Sequence, residues 1–215
     1  MAGLDQGTVA ENARRVRAEL GEAARRSGRE PGDVRLLTAV KYVELEDLPV
    51  LAQAGLTLVG ENRAQQLEAK AAAHPELTWH FIGALQSRKV KQILPLVELI
   101  HSVASDSALR QLERHAASGT EILLEVNVAE EEGKAGIAPA DLPGYLDRSP
   151  VPVAGLMTMP PFAEDPEASR PLFAALRALT ERHGLRELSM GTSQDYVVAV
   201  EEGATIVRLG SVLFR

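Results

Sequence analysis

Short apolar segments alternate with amphipathic segments along most of this chain, and this alternation constrains the fold more than any other feature. The apolar segments predict eight strands, near residues 35–40, 57–59, 78–83, 97–101, 121–127, 152–157, 187–190 and 205–209. Helical spacing between them predicts seven helices, near residues 45–54, 62–73, 87–94, 106–117, 140–147, 166–184 and 194–202. A further amphipathic helix, from about Thr8 to Ser27, precedes the first strand. Buried strands that alternate with helices are typical of parallel βαβ units.

Eight such units can close into a (β/α)8 barrel, or they can form an open doubly wound sheet. A dinucleotide-binding open sheet carries a G-x-G-x-x-G motif after its first strand, and residues 39–43 contain no glycine. We therefore favour an α/β fold consisting of a TIM barrel with an extra N-terminal helix. The chain has 215 residues, fewer than the roughly 250 typical of this fold, so its loops must be short. Because no linker or low-complexity tract interrupts the pattern, we expect one domain over residues 1–215.

Composition excludes several classes of function. The net charge of −7, from 23 basic and 30 acidic residues, argues against a surface that binds nucleic acid. The absence of cysteine excludes disulfides, thiolate catalysis and cysteine-ligated metals. No apolar run approaches the ~18 residues of a membrane span, and the N-terminus lacks a signal-peptide pattern. We expect a cytoplasmic protein that does not bind membranes.

Lys41 is the first candidate for chemistry, because it directly follows the buried strand predicted at residues 35–40. Function in a barrel lies at the C-terminal ends of its strands. A lysine held there against an apolar wall is disfavoured as an ammonium ion, and its free amine can form a Schiff base with an aldehyde or ketone. The alternative is a lysine that simply extends from the strand end into solvent.

Glycines and hydroxyls after the last two strands predict an anion site. Ser189 and Ser193 accompany the seventh strand, and Gly210 and Ser211 follow the eighth. Glycine lets backbone N–H groups approach an anion, and barrels often place phosphate after strands seven and eight. In isolation, the same residues are more often ordinary turn formers.

Arg208 ends the eighth strand and has two interpretations. It either forms a buried salt bridge with a neighbouring carboxylate or acts as a fixed cation that faces a ligand. His80 and His101 are interpreted as core or strand-end residues, since no His/Asp/Glu cluster has metal-ligand spacing.

A Schiff-base lysine, a phosphate site and no metal together indicate pyridoxal 5′-phosphate (PLP) as the cofactor. If Arg208 donates to the pyridine nitrogen, that nitrogen stays unprotonated, because two cationic groups cannot share a short contact cheaply. An unprotonated ring is a poor electron sink. The sequence therefore predicts a bound cofactor with weak support for carbanion chemistry.

The chain resembles the pyridoxal phosphate homeostasis proteins, a family whose barrel is similar to the N-terminal domain of alanine racemase. The resemblance runs from about Leu36 to Phe214. It is carried by the segments Ala39–Lys41, Gly60–Asn62, Trp79–Gln86, Val126–Asn127 with Lys134 and Gly136, Gly155–Met157, Leu188–Gly191 with Ser193 and Asp195, and Val207–Gly210. It implies a type III PLP fold without the C-terminal β-domain.

The resemblance also implies roles for individual residues. Lys41 would hold PLP as an internal aldimine, and Asn62 would line the pocket. Arg208 would face the ring nitrogen. The phosphate would be held by Ser189, Gly210 and Ser211, and Lys134 would assist transfer near the pocket mouth.

The function implied is PLP binding in vitamin B6 homeostasis, in which the protein buffers PLP or delivers it to apo PLP-dependent enzymes. We expect little or no catalysis, and a monomer, because the dimerising β-domain of the racemases has no counterpart here.

The chain departs from the family pattern at a few positions. Tyr42 and Arg88 replace a small residue and an asparagine, Thr192 replaces a methionine, and Ser211 replaces a threonine. The chain ends at Arg215, so we expect the family's short C-terminal helix to be missing.

Two enzymatic alternatives remain open. An amino-acid racemase on this scaffold needs a second acid/base on the opposite face of the ligand, and Tyr42 is the tyrosine expected near the mouth. A class I aldolase also uses a barrel lysine without metal, but that lysine ends strand six, where this chain has Met157.

Overall fold

The sheet closes into a barrel in the computed structural model, which describes residues 3–215. Its strands are β1 (Arg35–Ala39), β2 (Leu58–Glu61), β3 (Thr78–Phe81), β4 (Leu99–Val103), β5 (Glu121–Glu125), β6 (Val153–Met157), β7 (Glu187–Ser189) and β8 (Ile206–Leu209). They pair in parallel in chain order, and β8 pairs with β1. The predicted eight-stranded barrel is therefore confirmed for the described residues, and all strands direct their C-terminal ends to one mouth.

Helices cover the outside of the barrel. They are α1 (Gln6–Arg26), α2 (Leu48–Gln53), α3 (Ala64–Ala73), α4 (Val90–Ile93), α5 (Asp106–His115), α6 (Leu142–Arg148), α7 (Arg170–Arg182), α8 (Tyr196–Glu201) and α9 (Ser211–Phe214). Within residues 3–215, no helix is long and apolar enough to cross a membrane.

The N-terminal helix α1 begins at a capped end and buries one side. The Asp5 carboxylate accepts a hydrogen bond from Thr8 N at 2.7 Å, which satisfies a free N–H group of the first turn. Its buried face contains Val9, Val16 and Leu20. This face packs against α8, α9 and α2. Helix α1 therefore lies outside the part of the sheet where β8 pairs with β1.

Two apolar layers hold the barrel. One lies between sheet and helices, and the smaller fills the interior with Leu37, Leu99, Leu123, Ala154, Met157 and Ile206. Gly60 shows how tightly the interior packs, because a Cβ there would lie 2.5 Å from Leu37 Cδ2. The apolar part of the interior is thus closely packed, and buried polar side chains lie beside it.

Two expectations about helices need correction. The predicted helix at 87–94 contains only one α-helical turn, α4, between the 3₁₀ turns Ser87–Lys89 and Leu94–Leu96. Pro95 has no N–H group to continue an α-helix. The expectation of a missing C-terminal helix is wrong, because Ser211–Phe214 forms the single turn α9. Leu213 is fully buried there, and Asn12 of α1 donates to the Arg215 carbonyl at 2.8 Å.

Candidate functional site

Lys41 lies at the mouth, two residues after the end of β1. Its side chain is exposed, and its Nζ lies 4.6 Å from the centroid of the Tyr42 ring, which is itself 75% exposed. The expectation of a lysine desolvated against an apolar wall is wrong for this structure, because Lys41 stands in a turn beyond the packed core. Its amine is accessible from the barrel mouth.

A buried ion pair fixes the chain on either side of the site. Lys70 Nζ of α3 donates to Glu61 Oε2 and to the Val40 carbonyl, both at 2.7 Å. Glu61 Oε1 accepts from Asn62 N at 2.6 Å and from Arg63 N at 3.0 Å. The pair therefore ties the residue before Lys41 to the turn that carries Asn62. The sequence reasoning did not identify Lys70, although a lysine on the otherwise apolar face of a helix was a signal.

Asn62 follows β2 and keeps a free acceptor. Its Oδ1 atom is shielded from solvent and has no hydrogen-bond partner among the described residues. Buried polar atoms are rarely left unpaired, and an exception indicates a bound water, an ion or a functional contact. Asn62 can therefore contribute a polar contact to a ligand at the mouth.

Arg208 lies one residue before the end of β8, inside the barrel, and is 6% exposed. Its Nη2 donates to the Thr158 carbonyl at 2.9 Å, and its Nη1 donates to Ser189 Oγ at 2.6 Å. Among residues 3–215 it makes no ion pair, so the interpretation of Arg208 as half of a buried salt bridge is not what the structure shows. Burial lowers the pKa of Arg208 to about 10, opposed by the charges of Glu125 and Asp195. Burial in turn raises the pKa of Glu125, and Arg208 opposes that shift.

Ser189 belongs with Arg208 rather than with the other predicted phosphate residues. Its buried hydroxyl lies between Arg208 Nη1 and His101 Nδ1, with the second distance 2.8 Å. His101 Nε2 in turn lies 2.9 Å from His80 Nδ1. The hydroxyl thus has two protein partners in this structure, and its contact with a phosphate stays a prediction. The histidines are core residues, as expected, but their connection to Arg208 was not predicted.

Gly210 and Ser211 lie where β8 meets α9, beside the turn after β7. The N–H groups of Gly210 and Val212 point to Ser193 Oγ, at 3.2 and 3.4 Å. Two backbone N–H groups that converge on one hydroxyl through long hydrogen bonds form a concave donor set of the kind that binds anions. Gly191 shapes the adjacent turn with φ +93°, and its carbonyl accepts from Arg208 N at 3.0 Å.

The remaining sequence candidates lie farther out. Lys134 forms an ion pair with Glu131 of its own loop at 2.7 Å, and it is 39% exposed. Arg88 is exposed and donates to Gln86 Oε1 at 3.1 Å. Thr192 takes part in the turn after β7 by donating through its N–H group and hydroxyl to Asp195 Oδ1. Among the described residues, no cluster of His, Asp or Glu could hold a metal ion.

These features define a class of protein: a (β/α)8 barrel with an exposed lysine, a buried arginine and converging backbone N–H groups at one mouth. No family model matches the chain. A pyridoxal phosphate homeostasis protein of Aquifex aeolicus is 40% identical over 215 residues, covering 93% of this chain and 94% of the relative. The chain belongs to the pyridoxal phosphate homeostasis protein family.

Solved structures agree with this assignment. PipY of Synechococcus elongatus, solved with PLP bound, is 32% identical with a TM-score of 0.80, covering 96% of this chain and 100% of that protein. Alanine racemase of Corynebacterium glutamicum shares the fold, with a TM-score of 0.76 at 16% identity, over 98% of this chain and 62% of the racemase. The expected similarity to the racemase barrel is confirmed.

Proposed function

We propose that this chain binds PLP covalently through Lys41 and buffers or delivers the cofactor, with little or no catalysis. The observation that carries the proposal is the grouping of three chemistries at one barrel mouth: the accessible Lys41 amine, the buried Arg208 guanidinium and the N–H groups beside Gly210. Support comes from PipY, a relative whose structure holds PLP.

The residues of this mouth fit PLP in chemical type. The cofactor supplies an aldehyde that condenses with a primary amine, and Lys41 provides that amine. The N–H groups of Gly210 and Val212, with the hydroxyls of Ser193 and Ser211, are suited to the phosphate. Asn62 Oδ1 is a buried acceptor without a partner among residues 3–215, which a polar group of the cofactor would satisfy.

Arg208 distinguishes a carrier from an enzyme. A guanidinium that donates to a pyridine nitrogen keeps that nitrogen unprotonated, and this weakens the ring as an electron sink. Arg208 retains its charge at neutral pH, because its pKa of about 10 lies well above 7. The arginine therefore favours cofactor storage over chemistry at a substrate carbon.

The positions of the three tyrosines do not support the racemase alternative. Tyr42 lies beside Lys41 rather than across the mouth from it. Tyr196 donates to Glu19 between α8 and α1, and Tyr145 packs under Arg148 on α6. None of these positions provides a second acid/base on the opposite side of a ligand held by Lys41.

The decisive experiment is reduction of the protein with borohydride after incubation with PLP, followed by peptide mapping. We expect a pyridoxyl group on Lys41 and none in Lys41→Arg, which keeps weaker, non-covalent affinity through the phosphate. Lys134→Arg is the matched control, and it should be labelled on Lys41 as the wild type is. Labelling of Lys134 in place of Lys41, or no labelling at all, would overturn the assignment.

We further propose a cytoplasmic monomer that assists transfer through Lys134 and hands PLP to apo enzymes. The half-exposed position of Lys134 on a loop leaves its amine able to contact a second protein once its pair with Glu131 opens. Mixing PLP-loaded protein with an apo PLP enzyme, while a third protein competes for free cofactor, tests direct transfer. Direct transfer predicts that the apo enzyme regains its activity even in the presence of the competitor. If the competitor abolishes this recovery, PLP is released into solution instead.

A further inference from the structure

Four buried side chains form a continuous row of hydrogen bonds through the barrel interior. Arg208 Nη1 donates to Ser189 Oγ at 2.6 Å, and Ser189 Oγ lies 2.8 Å from His101 Nδ1. His101 Nε2 lies 2.9 Å from His80 Nδ1. The two imidazole rings and the serine are completely shielded from solvent, so the row cannot exchange its partners with bulk water.

The direction of this row follows from counting donors. Ser189 Oγ accepts from Arg208, so its single proton is free to be donated to His101 Nδ1. A neutral His101 then carries its proton on Nε2 and donates it to His80 Nδ1, which places the His80 proton on Nε2. This arrangement leaves one atom, His80 Nε2, without a partner among the described residues.

If the hydrogen bonds of the row ran in the reverse direction, one more buried polar group would be left without a partner. If His101 Nδ1 donated to Ser189, the hydroxyl would accept twice and its own proton would have no acceptor among its neighbours. His80 Nε2 would still be unpaired, now as an acceptor. Since each unpaired buried group costs free energy, the row runs from Arg208 toward His80.

Burial, aided by the surrounding positive charges, keeps both histidines neutral. Burial, with a contribution from Arg35, lowers the pKa of His80 to about 3. Burial also lowers the pKa of His101 far below its usual range, and His80, Arg208 and Arg35 add to the effect. The acids facing this region are Glu125 and Asp195, whose charges act on Arg208, and Glu187, which pairs with Arg35 at 2.8 Å. Because both imidazole rings are neutral, the Arg208 guanidinium is the charged group among the four side chains of the row.

We propose that His101 and His80 are positioning residues for Arg208, which hold its guanidinium toward the cofactor site through the Ser189 hydroxyl. Both histidines are fixed as the tautomer protonated on Nε2. The proposal rests on the proposed function for its meaning at the cofactor, but the row and its direction belong to the protein alone. The histidines act through Ser189 and do not touch the cofactor.

The direction can be tested without cofactor. Nitrogen-15 NMR of the histidine rings at pH 7 should show an unprotonated Nδ1 and a protonated Nε2 for both His80 and His101, assigned with His80→Asn and His101→Asn. A proton on either Nδ1, or a charged ring, would overturn the row as described. This measurement does not depend on PLP binding, so it tests the direction of the row even if the proposed function is wrong.

The positioning role is tested on PLP-loaded protein. His101→Leu removes the acceptor of the Ser189 hydroxyl, so we expect PLP affinity to fall about tenfold and the visible absorption band of the bound cofactor to shift. Lys41 should still be labelled on reduction. Thr180→Val removes another buried hydroxyl, which donates to the Leu176 carbonyl within α7 and takes no part in the row, and it should leave both properties unchanged.

A conservative variant separates positioning from folding. The amide oxygen of His101→Asn can accept from Ser189 in place of Nδ1, so this variant should keep the wild-type absorption band even if His101→Leu folds poorly. A wild-type band and affinity in His101→Leu would overturn the proposal. Equal losses of PLP affinity in His101→Asn and Thr180→Val would also overturn the proposal, because the loss would then reflect a general disturbance of the fold.

Discussion

At the scale of single residues, the buried pair Lys70–Glu61 supports both strand ends that carry Lys41 and Asn62. The two side chains are 8% and 0% exposed; Lys70 donates two hydrogen bonds and Glu61 accepts three. Lys70→Met would leave the Glu61 carboxylate buried without its cation. We expect the free energy of unfolding to fall by about 3–5 kcal/mol, measured by urea titration.

The matched control is Lys134→Met, which removes an ion pair of the same kind at the surface. Its partners are 39% and 35% exposed, so the loss should stay below about 1 kcal/mol. Adding Glu61→Gln to Lys70→Met removes the unpaired charge and should restore part of the stability. Equal losses in Lys70→Met and Lys134→Met would show that the buried pair contributes no special stability.

The sequence predicts the positions of site residues better than their partners. Lys41, Asn62 and Arg208 lie at the mouth because each follows or ends a strand, and strand ends are readable from apolar segments. The link between His101 and Ser189 joins residues 88 positions apart, which no local pattern reveals. Burial at Lys41 was predicted wrongly, because a strand end does not show whether the next residue stays in the core.

At the scale of elements, the turn between β7 and α8 depends on Gly191. Its φ of +93° is strained for any other residue, and a Cβ would lie 2.6 Å from Ala199 Cβ. The same turn accepts the Arg208 N–H group and lies beside Ser193. We expect Gly191→Ala to lower the free energy of unfolding by about 2–4 kcal/mol and to weaken PLP binding, measured by urea titration and cofactor titration.

Gly184→Ala separates backbone strain from these contacts. Gly184 has φ +63°, but a Cβ there would meet nothing within 4 Å, and it lies between α7 and β7, on the side of the barrel away from the mouth. Only backbone strain acts on Gly184→Ala, so we expect the free energy of unfolding to fall by about 1 kcal/mol and PLP binding to stay normal. If both variants bind PLP equally well, the turn does not shape the cofactor site.

The sequence predicts the order and type of the strands and main helices, but not the turns at their ends. Four of the predicted helices begin with a 3₁₀ turn, as at Leu45–Asp47 and Pro166–Ser169. Such turns differ from α-helix by one residue in hydrogen-bond spacing, which apolar periodicity does not resolve. The one-turn helix α9 was missed because four residues are too few to show a period.

At the scale of the whole molecule, closure of the barrel is the most predictable property. Eight repeats of a βα unit leave an open sheet with two long unpaired edges unless β8 pairs with β1, and that pairing aligns Leu37 with Arg208. The interior could not be predicted in the same way. Inward positions contain polar residues from several strands, and only the closed structure shows that they meet in one row.

This polar interior makes the stability of the whole protein sensitive to mild acid. The native pKa of His80 is about 3 and that of His101 is also far below 6.5, so the unfolded chain binds more protons than the native chain as the pH falls below 6.5. Stability should therefore be intact above pH 6.5 and decrease as the pH falls, by about 1.4 kcal/mol per pH unit for His80 down to its native pKa of about 3, with a further loss of the same sign from His101. Urea titrations at pH 7, 6 and 5 measure this slope.

The double variant His80→Asn/His101→Asn should lose most of that slope, whereas Thr180→Val should keep it. Glu125 acts in the opposite direction, because its raised pKa lets the native state take up a proton before the unfolded chain does. Since Glu125 is present in every variant, the difference between slopes isolates the histidines. A wild-type protein as stable at pH 5 as at pH 7, or a double variant with the wild-type slope, would show that the buried rings do not remain neutral.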